Sequence, residues 1–362
     1  MSIKKIVVKI SSNLLNPDNN IDIVEKITKE ISELKIKGYQ IIIVTSGAVM
    51  HGVKKINLTE KPSSIPLLQS CAAMGQIDLM QRYKTEFEKY NMIPAQILVS
   101  TDDFNNRKRY LNLINTVNTL LNLTAIPIFN ENDSINIEEL KFGDNDHLSA
   151  LITLMMDFDM LILLTDVDGL YDKDPRENKD AQLIKCINKL DDSCLRSINS
   201  KVSKFSSGGM KAKIESSKKV ANAGIDVFIG NGFNVKLENI INYKENGTYI
   251  YGEKEKVNAR LRWIGFSPVN KAKIFIDEGA YKALVFKKSS LLASGIIKVE
   301  GHFSKGALVG IYFNEKKIAQ GLTNYPSKDL QLIKGFKSQD FHKVIKNPDY
   351  EEVIHRNNMY LL

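Results

Sequence analysis

The 362-residue chain, 43% hydrophobic and 25% charged, has the composition of an ordinary soluble globular protein of two domains and is long enough to bury a sizeable core. Its net charge of +8 and pI near 9.0 allow an anionic substrate or a nucleic acid as partner without choosing between them. Three cysteines, Cys71, Cys186 and Cys194, form no CxxC pair and no even framework, which excludes a disulfide scaffold and fits a reducing cytoplasm.

The N-terminus runs straight into a strand-like stretch, Ile6 to Ile10, with no signal-peptide apolar region before it. No apolar run is long enough to span a membrane, so the expected location is cytoplasmic. A helix follows, with Val24, Ile27, Ile31 and Leu34 on one face and Gly38 as its stop. Gln40 to Val44 is a continuous apolar strand, as in parallel sheets buried on both faces, and leads into Thr45-Ser46-Gly47-Ala48. A long helical stretch covers Leu67 to Tyr90, then come a strand at Ile93 to Val99 and a helix at Tyr110 to Leu121. Ala125 to Phe129 is a strand, Leu148 to Met156 a helix, and Met160 to Leu164 a strand. Lys211 to Ala223 is a helix ended by Gly224, and Asp226 to Ile229 is a last strand. This alternation predicts an α/β domain, an open and mostly parallel sheet sandwiched by helices.

The pattern changes near Arg260. From Lys271 the segments are short and β-like: Lys273 to Ile276, Ala283 to Phe286, Ile296 to Val299, Leu308 to Phe313 and Lys316 to Gly321. They predict a small, mostly β second domain. The expected organisation is therefore residues 1–255 as the first domain, 256–270 as a linker and 271–362 as the second domain. Residues 271–362 carry fifteen Lys and Arg against nine Asp and Glu, which places most of the excess positive charge there.

Five strand ends or loops of the first domain carry polar signatures. Lys9 closes the first strand, and a buried ammonium there must meet an anion or water; an edge lysine that snorkels is the plain alternative. Ser46-Gly47 opens a helix and presents free backbone N–H groups to an anion, or is only a cap. Asn130 to Asp133 and Gly143 to His147 set carboxylates and amides between a strand end and a helix start, where open α/β sheets bind ligands; turn chemistry alone would use the same residues. Thr165-Asp166 follows a strongly apolar strand. Ser206 to Lys213 places paired glycines at a helix start, so that backbone can approach a polyphosphate and Lys211 and Lys213 can neutralise it.

The chain has no Walker loop, GxGxxG fingerprint, GxSxG elbow or kinase HRD/DFG set. His51, His147, His302, His342 and His355 show no metal-ligand spacing, and His147 reads as a lone polar residue at a helix start. Two lysines, a glycine-rich helix start and several carboxylates fit phosphoryl transfer better than metal hydrolysis.

In this order, Val44-Thr45-Ser46-Gly47-Ala48, Asn130-Glu131-Asn132-Asp133, Gly143-Asp144-Asn145-Asp146, Leu164-Thr165-Asp166, Gly169-Leu170-Tyr171, Asp174-Pro175-Arg176 and Gly208-Gly209-Met210 with Lys213 resemble the amino acid kinase family, in particular its glutamate-phosphorylating branch. The resemblance runs from Val7 to about Phe233. Residues 276–280 and 289–292 make the second domain resemble a PUA domain. The resemblance implies ATP-dependent phosphorylation of the γ-carboxylate of L-glutamate to L-glutamyl 5-phosphate, the first step of proline synthesis, with Mg²⁺ bridging the phosphates and no protein side chain assigned as its ligand. It implies Lys9, Lys213 and Asp146 as catalytic residues, Asp146 orienting the two lysines. Ser46, Asp133, Asp144 and Asn145 would bind glutamate. Lys9, Thr165, Asp166 and the run Ser207, Gly208, Gly209, Met210, Lys211, Ala212 and Lys213 would bind the nucleotide. A homo-oligomer (dimer or tetramer), proline feedback, a glutamyl-phosphate reductase as partner and RNA binding by the PUA-like domain are further implications. The chain departs from the family's Lys-x-Gly-Ser/Thr-Ser pattern at Ser11, whose Cβ restricts phosphate approach and disfavours positive φ. The alternatives are another acid or phosphate kinase of the same fold, acting on N-acetylglutamate, aspartate or UMP, or an RNA-binding protein with an inactive first domain.

Overall fold

The computed structural model describes residues 4–16, 19–135, 145–173, 175, 177–188, 208–253, 258–267, 269, 272–345 and 350–362. The chain divides into two compact units, Met1–Asp103 with Arg107–Lys256, and Phe104–Asn106 with Val257–Leu362.

The first unit is built on an eight-stranded sheet. Its strands are β1 (Lys5–Ile10), β2 (Gln40–Val44), β3 (Pro94–Val99), β4 (Ile126–Glu131), β5 (Met160–Thr165), β6 (Cys186–Ile187), β7 (Asp226–Asn231) and β8 (Thr248–Ile250), in the order β3-β4-β2-β1-β5-β7-β8-β6. All neighbours are parallel except β7 and β8. The helices are α1 (Ile23–Ile36), α2 (Ala48–Lys55), α3 (Ile65–Glu88), α4 (Thr101–Asn105), α5 (Arg107–Asn122), α6 (Asp146–Met156), α7 (Gly208–Asn222) and α8 (Leu237–Ile241).

The apolar runs become the central strands because both of their faces are covered: β2 from Ile41 to Val44, and all of β4 and β5, are buried. Successive side chains of a strand point to opposite faces. Ile6, Val8 and Ile10 of β1 join the cluster formed with Val24, Ile27 and Ile31 of α1 and Tyr83 and Phe87 of α3. Val7 and Lys9 therefore face the other layer. The chain leaves β1 for β2 on one side and returns to β5 on the other, so the order reverses at β1. Ligands of open α/β sheets bind beyond the carboxyl ends of the strands at such a point.

Several elements extend beyond their expected limits. Strand β4 runs on through Asn130 and Glu131, α6 starts at Asp146, and α7 starts at the glycine pair rather than at Lys211. Helix α2 is held tightly on α3. A Cβ at Gly52 would lie 1.9 Å from the Cys71 carbonyl oxygen, and one at Gly75 would lie 1.9 Å from that of Ala48. Two glycines thus permit the close approach of α2 and α3.

In the second unit β9 (Lys273–Ile276), β10 (Ile296–Glu300), β11 (Leu308–Phe313), β12 (Lys316–Leu322) and β13 (Met359–Leu361) form a sheet in the order β10-β9-β11-β12-β13. Two expectations are corrected here. Ala283 to Phe286, expected as a strand, lies inside the helix α10 (Glu278–Lys287). A short apolar run suits either state, and the start signal decides: Asp277 Oδ1 accepts from the Ala280 N–H at 2.7 Å, with Glu278 in the first turn. Residues 256–270, expected as a linker, contain the helix α9 (Ala259–Phe266), capped by Asn258. Its Arg262, Trp263 and Ile264 are buried, which a linker would not show.

Candidate active site

Of the expected site residues that are described, Lys9, Asp146 and Lys213 meet at the carboxyl edge of the first sheet. Lys9 is the next-to-last residue of β1, in register with Val44 of β2 and Leu163 of β5. Its side chain is fully buried. On its face lies α6, a helix with nearly every residue buried and with Asp146 in its first turn. The Asp146 carboxylate binds Lys9 Nζ through Oδ1 at 2.7 Å and Lys213 Nζ of α7 through Oδ2 at 2.9 Å. Two buried ammonium groups therefore share one buried carboxylate, and the triad carries a net charge of +1. Buried charges persist only when paired, and the surplus cation suits an anionic ligand. Lys211 is exposed, while Met210 and Ala212 are half-buried, so only Lys213 of the two lysines joins this centre.

Asn145 precedes α6 in the N-cap position but makes no side-chain cap bond. Its Nδ2 donates instead to the Thr45 carbonyl at 2.6 Å, to Asn130 Oδ1 at 2.7 Å and to Ser46 Oγ at 3.3 Å. Asn130 Nδ2 donates to Gln76 Oε1 at 2.8 Å, and Gln76 Nε2 to Gln96 Oε1 at 3.2 Å. This chain of amides fixes which way each one points. The donors of Asn145 are committed to protein, which leaves its Oδ1 to accept from a ligand.

A cavity of about 480 Å³ opens beside this network, and Ser46, Asp133, Asp166 and Asn13 are among its lining residues. Lys9, Asn145, Asp146, Thr165 and Lys213 are buried and do not line it. Asp166 takes a hydrogen bond from Asn13 Nδ2 at 2.9 Å and one from Thr165 Oγ1 at 3.0 Å. Asn231, at the end of β7, donates to Asp168 at 3.0 Å. Gly208 and Gly209 open α7. The expected residues Asp144 and Ser207 lie outside the described residues, as do Gly143, Asp174, Arg176 and Ser206.

Ser11 is 7% exposed and does not adopt a positive φ, and its N–H donates to the Leu164 carbonyl at 3.1 Å. A serine is thus tolerated here without backbone strain. Its hydroxyl meets no partner among the described residues.

Sequence reasoning missed Gln76, Gln96 and Asn231 as members of these networks. The two glutamines come from α3 and β3 with no motif around them. Asn231 ends a strand of the same edge, a signal that was present in the sequence.

His147 follows Asp146 on α6, and Lys219 Nζ of α7 lies 3.4 Å from its Nδ1. Burial, then the Lys219 ammonium, push the imidazole down from 6.5 to about 4. Because the folded pKa is the lower one, the unfolded chain takes up the proton first as pH falls. Stability is complete above about pH 6.5 and is lost between there and pH 4, by on the order of 2–3 kcal/mol. Urea unfolding at pH 7.5 and pH 4.5 should show this loss, and His147→Gln should remove most of it. An equal loss in the variant would assign the acid sensitivity elsewhere.

The amino acid kinase family model matches residues 4–231, and the PUA domain model matches residues 272–345. The glutamate 5-kinase of Thermoanaerobacter sp. (strain X514) is 41% identical over 366 aligned residues, covering 99% of this chain and 98% of that protein. Glutamate 5-kinase 1 of Bacillus subtilis (strain 168) is 40% identical over the same shares of the two chains. Among solved structures, carbamate kinase from Giardia lamblia bound to AMP-PNP superposes with a TM-score of 0.50 at 16% identity, over 70% of this chain and all of that one; that likeness concerns the fold. With a family match over more than half its length and relatives at this identity end to end, the chain belongs to the amino acid kinase family.

Proposed function

We propose that this protein transfers the γ-phosphoryl group of ATP to the side-chain carboxylate of L-glutamate, giving L-glutamyl 5-phosphate, the first step of proline biosynthesis. The observation that carries this reading is the Lys9–Asp146–Lys213 triad at the sheet's carboxyl edge, in a chain similar to glutamate 5-kinases throughout its length.

The acceptor carboxylate is already a nucleophile, so no general base is needed. Catalysis then reduces to positioning and charge neutralisation. Lys9 and Lys213 stabilise charge on the transferring phosphoryl group, and Asp146 holds both ammonium groups where that charge develops. Asp133 by charge and Asn145 Oδ1 by hydrogen bond receive the substrate's ammonium group, with Ser46 beside them. The nucleotide lies toward Thr165, Asp166 and the start of α7 at Gly208. The described residues include no group of three or more His, Cys, Asp or Glu side chains able to hold a metal. Mg²⁺, when bound with the nucleotide, would supply neutralisation of phosphate charge beside Lys9 and Lys213.

No helix of the described residues is long and apolar enough to cross a membrane; a cytoplasmic location is part of the proposal. A homo-oligomer and transfer of the acyl phosphate to a reductase belong to the same proposal. A coupled ADP-release assay tests it. L-Glutamate should support turnover that N-acetylglutamate, L-aspartate and UMP do not match, and added proline should slow it. Faster turnover on any of the other three would reassign the substrate.

A further inference from the structure

The cavity beside the amide network is lined by charged side chains of both signs: Asp133, Asp166 and Lys61. The first two are spoken for. Asp166 already accepts from Asn13 and Thr165, and Asp133 stands with Asn145 as the acceptor for an ammonium group. Lys61 is different. It is exposed, comes from the loop between α2 and α3, and has no ion-pair or hydrogen-bond partner among the described residues. Pro62 follows it and keeps Lys61 out of helical backbone. The loop thus carries an unpaired ammonium to the mouth of a cavity whose nearby wall is the first turn of α2, Ala48 to Met50.

The rest follows from the charges of the substrate, and so rests on the reading given above. Glutamate brings one ammonium and two carboxylates. The ammonium goes to Asp133 and Asn145 Oδ1. The side-chain carboxylate is the one that reacts and must face Lys9 and Lys213. The α-carboxylate remains, and none of the residues assigned so far carries a positive charge for it. We infer that Lys61 is the counter-ion of the substrate's α-carboxylate and a determinant of specificity for α-amino dicarboxylic acids. A charge-assisted hydrogen bond of this kind is stronger than a neutral one, and because Lys61 is exposed its effect should weaken with added salt.

The experiment uses the full-length enzyme and three forms: native, Lys61→Gln and Lys61→Arg. ADP release is measured against L-glutamate, ATP and the α-amide of glutamate, the last scored as substrate or as competitive inhibitor. Lys61→Gln should raise the KM for glutamate about tenfold, with kcat and the KM for ATP within about twofold. Affinity for the α-amide, which lacks the negative charge, should not change. Lys61→Arg should recover most of the loss, since it keeps the charge. Three results would overturn the inference while the functional reading stands: an unchanged glutamate KM, an equal loss for glutamate and its α-amide, or a loss confined to ATP. If the native enzyme releases no ADP with glutamate, the functional reading fails, and this inference with it.

Discussion

Lys213→Ala should lower kcat for ADP release with L-glutamate by about a hundredfold or more, with a far smaller effect on folding. The asymmetry follows from the triad. Lys213 binds one oxygen of Asp146 while Lys9 holds the other at 2.7 Å. Removing Lys213 leaves a buried pair of net charge zero rather than an orphaned charge, so the stability cost should stay near 1–2 kcal/mol, below the cost of breaking an isolated buried pair. The surplus cation is lost with it. Charge stabilisation in a water-poor site is worth about 2.7–4 kcal/mol per donor in the transition state. The KM for glutamate should move little, because the charge that Lys213 neutralises develops on the transferring phosphoryl group in the transition state. Steady-state kinetics with urea unfolding of the same preparation separates the two effects. An unaltered kcat would remove Lys213 from the catalytic machinery.

The triad also shows how far a sequence can be read. Lys9 at a strand end and Lys213 in a glycine-led helix start were each visible as anion-seeking groups, because a lysine in an apolar context has few other options. That they meet on one carboxylate was not visible locally. Residues 9, 146 and 213 are brought together by the return of the chain to β5 beside β1, and no periodicity encodes that. The parallel α/β architecture was legible because its central strands are apolar on both faces, which leaves a simple pattern. The second unit was less legible. Ala283 to Phe286 is short enough to suit strand or helix, and the deciding feature was Asp277 as a cap rather than the apolar run itself. Asn145 shows the opposite case. Its position before a helix suggests capping, yet its amide is drawn into a network with Thr45, Ser46 and Asn130. Gln76 joins that network from the middle of α3 with nothing in its surroundings to mark it.

The largest combined effect is expected for Asp146→Asn. The amide keeps the shape and one acceptor but removes the only negative charge of the triad. Two buried ammonium groups, each within 3 Å of that carboxylate in the native chain, would then lose the charge they share. Removing one partner of a buried ion pair costs about 3–5 kcal/mol, and here the loss falls on two cations at once. Turnover should drop at least as far as in Lys213→Ala, because neither lysine is any longer held toward the phosphoryl group. The origin of the instability can be tested by adding a second change. If uncompensated charge is the cause, Lys213→Met in the Asp146→Asn background should recover stability by about 1–3 kcal/mol while activity stays lost, a coupling of the size seen between residues in contact. Lys213→Met alone should not stabilise. If the double variant is instead less stable than Asp146→Asn by the full cost of the second single change, the two sites act independently, and Asp146 serves packing at the start of α6 rather than the balance of charge on which the proposed chemistry depends.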